Sequence, residues 1–343
     1  MTERFDVVIV GGGIIGAACA DRLAGEGHKV CLIEAREFLR EASWAAPGVL
    51  HPIHPFSYPA PLHPLLRAAP AMFPPLAADL LQRTGIDVGL ETPGLVVLGD
   101  QVEALARWCG EAIPHQHVRS SALIDCPADE GPALFLPEAR TLRPARLGHA
   151  LLEGARRRGA ELRSHTPAIE VEAGQVRVPG GIIEADTVVM AAGAWSGGLC
   201  RAAPTEPIRG QMLLYSGDLP HMVIFSDRTY VTPRRDGRVL FGSTVERAGF
   251  DGRPTEQVVA RLQERAETLL GLHPSALLGA WAGLRPGTPS GLPHIGRDDR
   301  HPGLIHAMGH YRTGVILAPL TAEIVADLVA GRAPRFVLPR VNS

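Results

Sequence analysis

The feature that most constrains this chain is a glycine-rich turn between a strand and a helix near its N-terminus. Residues 6–10 (DVVIV) have the character of a buried strand, and Gly11, Gly13 and Gly16 follow in the spacing G-x-G-x-x-G. In this motif the first glycine permits a tight turn, the second lets the backbone approach a pyrophosphate, and the third allows close helix–strand packing. The pattern therefore predicts a dinucleotide-binding βαβ unit, with the phosphates at the positive end of the helix dipole.

The residues after this turn complete the unit. A helix is predicted over 14–24, a second strand over 29–33, and Glu34 follows at the distance where an acid binds ribose hydroxyls. A carboxylate at this position argues against a 2′-phosphate and so against NADP. It does not separate FAD from NAD, because both carry an adenosine diphosphate half.

Size and composition exclude several classes of protein. The 343 residues favour two domains, and a net charge of −2 favours neither nucleic acid nor an anionic membrane as a partner. No apolar run reaches the ~18 residues of a membrane span, and the first strand begins too early for a secretory signal peptide. The five cysteines lack C-x-x-C or metal-type spacing. We therefore expect a cytoplasmic protein.

Periodicity and turn residues predict the remaining organisation. The many prolines of residues 36–75 predict an irregular segment that covers the cofactor, and residues 111–137 have no clear pattern. Further helices are predicted over 76–84, 102–109, 147–159, 255–270 and 314–330. Strands are predicted over 95–98, 161–163, 168–172, 175–184 (a hairpin), 186–191, 208–215, 222–226, 229–233 and 238–243. The strands between 208 and 245 have no helices between them, which indicates an antiparallel sheet inserted into the nucleotide-binding domain.

Four short motifs extend the pattern to the C-terminal half. They are YVTP (230–233), WAGLRPG (281–287), PHIGR (293–297) and GHYRTGVILAP (309–319). With the N-terminal unit and AAGAWS (191–196), they make the chain resemble the FAD-dependent D-amino acid oxidase family, and within it the glycine oxidases of the thiamin pathway. The resemblance covers residue 5 to about residue 331.

This resemblance implies an α/β (α+β) fold, with a Rossmann-like FAD-binding domain and an interleaved antiparallel-sheet domain that binds substrate. The discontinuous FAD-binding domain is predicted over 1–75, 140–205 and 281–343, and the substrate-binding domain over 76–139 and 206–280. FAD is expected to bind without a covalent bond. The residues expected to contact it are Gly11, Gly13, Ile14, Ile15, Gly16, Glu34, Ala35, Ala42, Ser43, Gly48, Val49, Ala168, His310, Tyr311, Arg312, Thr313, Gly314, Val315 and Ile316.

The resemblance also implies how a substrate is held. Arg285 is expected to bind an amino-acid carboxylate through its planar guanidinium, with Tyr230 and Arg312 completing the grip. The implied reaction is oxidative deamination of glycine, and of other small amino acids or amines, to glyoxylate, ammonia and hydrogen peroxide with oxygen as acceptor. No metal is expected at His51, His54 or His63, because each is followed by proline, none is predicted to lie on a regular helix and no carboxylate cluster is near.

Two other functions remain open from the sequence. The chain could be a flavin dehydrogenase of D-amino acids or secondary amines that passes electrons to a quinone or carrier, or a non-catalytic FAD-binding protein. The oligomeric state is also open, a homo-oligomer included.

Overall fold

The computed structural model describes residues 3–52, 54–123, 131–199, 204–217, 221–226 and 229–339, which form two mixed sheets with helices packed on them. The strands are β1 (Glu3–Val10), β2 (Val30–Ile33), β3 (Leu95–Leu98), β4 (Gln116–Arg119), β5 (Pro132–Leu136), β6 (Glu161–Arg163), β7 (Glu170–Glu172), β8 (Gln175–Val178), β9 (Gly181–Met190), β10 (Glu206–Ser216), β11 (Val223–Ser226), β12 (Thr229–Arg234), β13 (Arg238–Gly242), β14 (Leu277–Gly287), β15 (His294–Arg297) and β16 (Leu304–Met308). The α-helices are α1 (Ile14–Gly25), α2 (Ala42–Ala45), α3 (His63–Ala68), α4 (Phe73–Thr84), α5 (Val102–Cys109), α6 (Pro144–Arg157), α7 (Ser196–Leu199), α8 (Glu256–Leu270) and α9 (Gly314–Val329).

The first sheet contains the predicted nucleotide-binding unit. Its order is β15-β16-β9-β1-β2-β6, and β1 pairs in parallel with both β2 and β9. The second half of β1, residues 7–10, is continuously apolar because both of its faces are covered. Val7 and Ile9 belong to one core cluster, whereas Val8 and Val10 belong to another. Helices α1, α6 and α9 pack together beside this sheet. The βαβ prediction is confirmed.

The second sheet has the order β14-β10-β13-β12-β11-β3-β5-β4 and is antiparallel except between β3 and β11. Helix α8 packs against β10 and β13. The predicted antiparallel sheet is therefore confirmed, and so is the α/β (α+β) fold class. Strand β14 pairs with β10 along most of its length and crosses the predicted domain boundary at residue 281. The division into two domains stays a prediction.

The proline-rich segment is more regular than the sequence suggested. The prediction of irregular structure over 36–75 is wrong in part, since it contains α2, α3, the start of α4 and short 3₁₀ turns. Several of these begin with proline in the first turn, as α6 does. Proline is favourable there because its missing N–H would have had no partner in the helix. The same effect moves the start of α4 from 76 to 73 and that of α6 from 147 to 144.

Strand β9 replaces two predicted strands with one. Its first half pairs with β8 in the predicted hairpin, and its second half continues into the parallel sheet beside β16. Strands β4 and β5 occur in the region without a clear sequence pattern.

No helix within the described ranges is long and apolar enough to cross a membrane.

Candidate active site

A cavity of about 780 Å³ is lined by residues of both sheets and of the proline-rich segment. Its volume falls within the ~300–1,000 Å³ typical of ligand and cofactor sites. All the residues predicted to bind cofactor or substrate line it, except Gly16. A Cβ on Gly16 would lie 1.9 Å from the carbonyl oxygen of Gly11. Gly16 therefore allows the turn to pack on α1, as the motif predicts for its third glycine.

The glycine turn presents the start of α1 to the cavity. Gly11 has a φ of +112°, and a Cβ there would lie 2.5 Å from the carbonyl oxygen of Ala191. Gly13 is extended, α1 begins at Ile14, and its first turn has neither an acidic residue nor a side-chain cap on Gly13. The start of a helix carries unpaired N–H groups and partial positive charge, so this end suits a pyrophosphate.

Two side chains brace this turn from the cavity wall. The Ile14 N–H donates to Ser43 Oγ at 2.9 Å, and the Gly12 N–H donates to Glu34 Oε2 at 2.8 Å. Glu34 Oε1 also accepts from the Arg36 N–H at 3.0 Å. A carboxylate has about four acceptor sites, so Glu34 can still accept hydrogen bonds from ribose hydroxyls.

A second helix start, that of α9, faces the same cavity. Its first turn has no acidic residue and Thr313 makes no side-chain cap. The backbone reaches it through Gly309 (φ +78°) and Tyr311 (φ +50°), and the Tyr311 N–H donates to the Pro286 carbonyl at 2.9 Å. The segment thus presents the positive end of the α9 dipole to the cavity, where it would favour negative charge on a bound group.

His310 lies in this segment and is neutral. Its Nε2 is 3.0 Å from Thr321 Oγ1, and the residue is 3% exposed. Burial lowers its pKa to about 3. The residue therefore adds no positive charge to the cavity at neutral pH, and it supports the turn through its hydrogen bond.

The guanidinium of Arg285 lies in the cavity, and the groups that accept hydrogen bonds from it are uncharged. Its Nη1 donates to the Thr244 carbonyl at 3.0 Å and its Nη2 donates to Ser243 Oγ at 2.7 Å. Burial lowers its pKa, and the neighbouring Arg312 acts in the same direction. Space for the guanidinium comes from Gly210 on β10, where a Cβ would lie 2.2 Å from both Nη atoms.

Tyr230 and Arg312 complete this end of the site. The Tyr230 hydroxyl is 3.1 Å from Ser243 Oγ, and the guanidinium carbon of Arg312 is 5.9 Å from the centre of the Tyr311 ring. Within the described ranges neither Arg285 nor Arg312 forms an ion pair with a carboxylate. Other arginines of the chain, such as Arg83 and Arg209, do form such pairs. Two cations without an anionic partner point to an anionic ligand.

Sequence reasoning missed several lining residues. The clearest is Tyr58, whose electrostatic neighbours are Arg312, Tyr311, Arg285 and Tyr230. Burial raises its pKa to about 12, so its hydroxyl is a neutral donor. Other missed lining residues are His51, His54, Met212 and Phe250. Tyr58 sits in the proline-rich segment, where no local pattern indicates which side chains point inward.

The described residues contain no group of three or more histidines, cysteines or acids that could hold a metal ion. Cys19, Cys31 and Cys109 are buried free thiols, and Cys126 and Cys200 lie outside the described residues.

Comparison with known proteins identifies the family. The family model described as "DAO: FAD dependent oxidoreductase" matches residues 6–328. Glycine oxidase of Pseudomonas putida is 37% identical over 96% of this chain and 95% of its own length. The crystal structure of glycine oxidase from Geobacillus kaustophilus is 33% identical, covers 100% of both chains and has a TM-score of 0.93. The bifunctional protein ThiO/ThiG of a Nostoc species is 31% identical over 94% of this chain and 52% of its own length. The chain therefore belongs to the DAO family of FAD-dependent oxidoreductases.

Proposed function

We propose that this protein catalyses the FAD-dependent oxidative deamination of glycine, and of other small amino acids or amines. The products are glyoxylate (from glycine), ammonia and hydrogen peroxide, and oxygen is the electron acceptor. The observation that carries the proposal is the placement of Arg285 and Arg312, without carboxylate partners, in the same cavity as two helix starts suited to a dinucleotide. The likeness to glycine oxidases over nearly the whole chain supports it.

Non-covalent FAD fits the residues that line the cavity. The starts of α1 and α9 are free of acidic residues, and Glu34 retains acceptor sites for ribose hydroxyls. The proposed contacts are those predicted above, with Gly16 acting by packing rather than by lining the cavity. When bound, FAD supplies the two-electron oxidation of the amine.

The two arginines of the cavity and the hydroxyl groups beside them position the substrate. Arg285 binds the carboxylate with its forked guanidinium, while Arg312 and the Tyr230 and Tyr58 hydroxyls add charge and hydrogen bonds. Fixing the carboxylate sets the direction of the Cα–H bond, so the protein contributes mainly orientation. His310 is buried and neutral, so it adds no positive charge to the cavity.

The pathway, compartment and assembly are also proposals. Hydrolysis of the imine product gives glyoxylate, and the likeness to one half of ThiO/ThiG supports use of the imine for the thiazole of thiamin. Buried free thiols at Cys19, Cys31 and Cys109 support a reducing cytoplasm. A homo-oligomer stays a prediction, which light scattering of the purified protein tests.

Product analysis tests the reaction. The FAD-loaded protein is incubated with glycine in air, and oxygen uptake, peroxide, ammonia and glyoxylate are measured. The proposal predicts equal amounts of the three products, and R285K should raise KM for glycine at least about 10-fold because lysine cannot bind a carboxylate bidentately. Exposed Arg107 on α5 offers a matched control, R107K, which should behave as wild type. Oxidation only with an artificial acceptor would instead indicate a dehydrogenase.

A further inference from the structure

We propose that Glu246 is a positioning residue for the substrate carboxylate, although it does not line the cavity. Its carboxylate holds the segment 243–246, and this segment supplies two hydrogen-bond acceptors of the Arg285 guanidinium. The inference rests on the proposed function, which gives Arg285 the role of binding the carboxylate.

The segment 243–246 follows β13 and is not part of a longer strand. It is attached to β10 by one pair of backbone hydrogen bonds between Arg209 and Glu246, each with an N···O distance of 2.9 Å. Three and two residues before Glu246, the Ser243 hydroxyl and the Thr244 carbonyl accept from Arg285. The position of the guanidinium therefore depends on how firmly this short segment is held.

The carboxylate of Glu246 provides the main side-chain anchor. It accepts from Arg209 Nη2 at 2.8 Å, from Gln211 Nε2 at 3.0 and 3.1 Å, and from the Thr244 hydroxyl. The Thr244 hydroxyl oxygen in turn accepts from the Gln211 N–H at 2.9 Å. Burial alone would raise the pKa of Glu246, but the hydrogen bonds from Thr244, Arg209 and Gln211 outweigh it and lower the pKa. Glu246 is therefore ionised at neutral pH.

The hydrogen bonds of Glu246 and the cavity lie on opposite faces of strand β10. Gly210 and Met212 of β10 line the cavity, whereas the alternate residues Arg209 and Gln211 are buried behind it and contact Glu246. Glu246 thus ties the back of β10 to the segment that holds Arg285 at its front. It acts through Thr244 and Arg285, and it contacts no substrate.

The substitution E246Q tests this inference with little change in side-chain volume. It removes the charge and places an amide NH₂ against donors of Arg209 and Gln211, so the segment should shift. We expect KM for glycine to rise about 10-fold with kcat within about 3-fold of wild type, because binding of the carboxylate is weakened equally in substrate and transition state. The Kd for acetate, followed by the flavin absorbance spectrum, should rise by the same factor.

A matched control is E256Q, because Glu256 is an exposed acid at the start of α8. It should leave KM, the acetate Kd and the FAD content unchanged. Should E246Q fail to fold, T244V removes the hydroxyl that links Glu246 to Gln211 and should raise the acetate Kd in the same way.

The outcomes separate this inference from the proposed function. An active wild type whose E246Q and T244V variants lose thermal stability, but bind FAD and acetate as the wild type does, would overturn the positioning role alone. A wild type that binds FAD but neither binds acetate nor oxidises glycine would overturn the proposed function, and this inference with it.

Discussion

Replacing Gly210 with alanine should damage the site while leaving the fold intact. Gly210 does not have a positive φ, so the backbone accepts alanine without strain. The new Cβ would lie 2.2 Å from Nη1 and Nη2 of Arg285 and 2.4 Å from its Cζ. The group that must move is the end of a flexible side chain, so the cost in stability is small. The displaced group, however, is the one proposed to bind substrate.

The size of the effect follows from these distances. Non-bonded heavy atoms pack at about 3.5 Å or more, so the guanidinium must move by about 1.3 Å. Its hydrogen bonds to Ser243 and Thr244, 2.7 and 3.0 Å long, cannot both survive such a shift. A misplacement of about 1 Å can cost about 100-fold in rate, so we expect kcat/KM for glycine to fall by about that factor.

The assay compares G210A with G279A, a glycine-to-alanine change in the paired strand β14. A Cβ on Gly279 meets no atom within 4 Å, and its φ is not positive either. Steady-state kinetics should show wild-type kcat/KM for G279A and the large loss for G210A. Both variants should melt within a few degrees of wild type, since compatible glycine-to-alanine changes alter stability by only about 1 kcal/mol or less. Wild-type kcat/KM in G210A would refute the assigned geometry of Arg285.

Three further predictions concern other parts of the cavity. Y58F should raise KM for glycine by about 3- to 10-fold with an unchanged melting temperature, because it removes one hydroxyl donor near the two arginines. An unchanged KM would show that Tyr58 does not contribute to substrate binding. E34Q should weaken FAD binding about 10-fold, as measured by the fluorescence of FAD titrated into apoprotein, because the amide offers fewer acceptors to Gly12, Arg36 and the ribose; wild-type FAD affinity would argue against its role. Burial lowers the pKa of His51 to about 4 and that of His310 to about 3, from 6.5. Below pH 6.5 the unfolded chain therefore binds protons that the folded chain does not. The free energy of unfolding should fall by up to about 1.4 kcal/mol per pH unit for each histidine. Urea denaturation at pH 7 and pH 5 measures this fall, and equal stability at both pH values would contradict the prediction.

Local rules predicted the nucleotide-binding part of the fold well. The start of α1 at Ile14 and the pairing of β1 with β2 follow from glycines and apolar runs that are adjacent in the sequence. These features depend on short-range sterics, so the sequence displays them directly.

Long-range features of the site could not be predicted in the same way. Tyr58 reaches the arginines because the proline-rich segment folds over the cavity, and no local periodicity reports that path. Likewise, Gly210 and Glu246 act on Arg285 from strand β10 and from the segment after β13. These parts meet through the pairing of β10 with β14 and the bridge between Arg209 and Glu246, which join residues far apart in the sequence. The sequence indicated Arg285 through its resemblance to a family, but not the residues that hold it.

The most direct test of the proposed function is the visible spectrum of the FAD-loaded protein mixed with glycine without oxygen, and then exposed to air. The account predicts loss of the oxidised-flavin absorbance with glycine and its recovery in air, and a much slower loss in G210A. Loss without recovery would contradict oxygen as the acceptor. A flavin spectrum that glycine leaves unchanged in the wild type would contradict the central claim that this cavity binds and oxidises glycine.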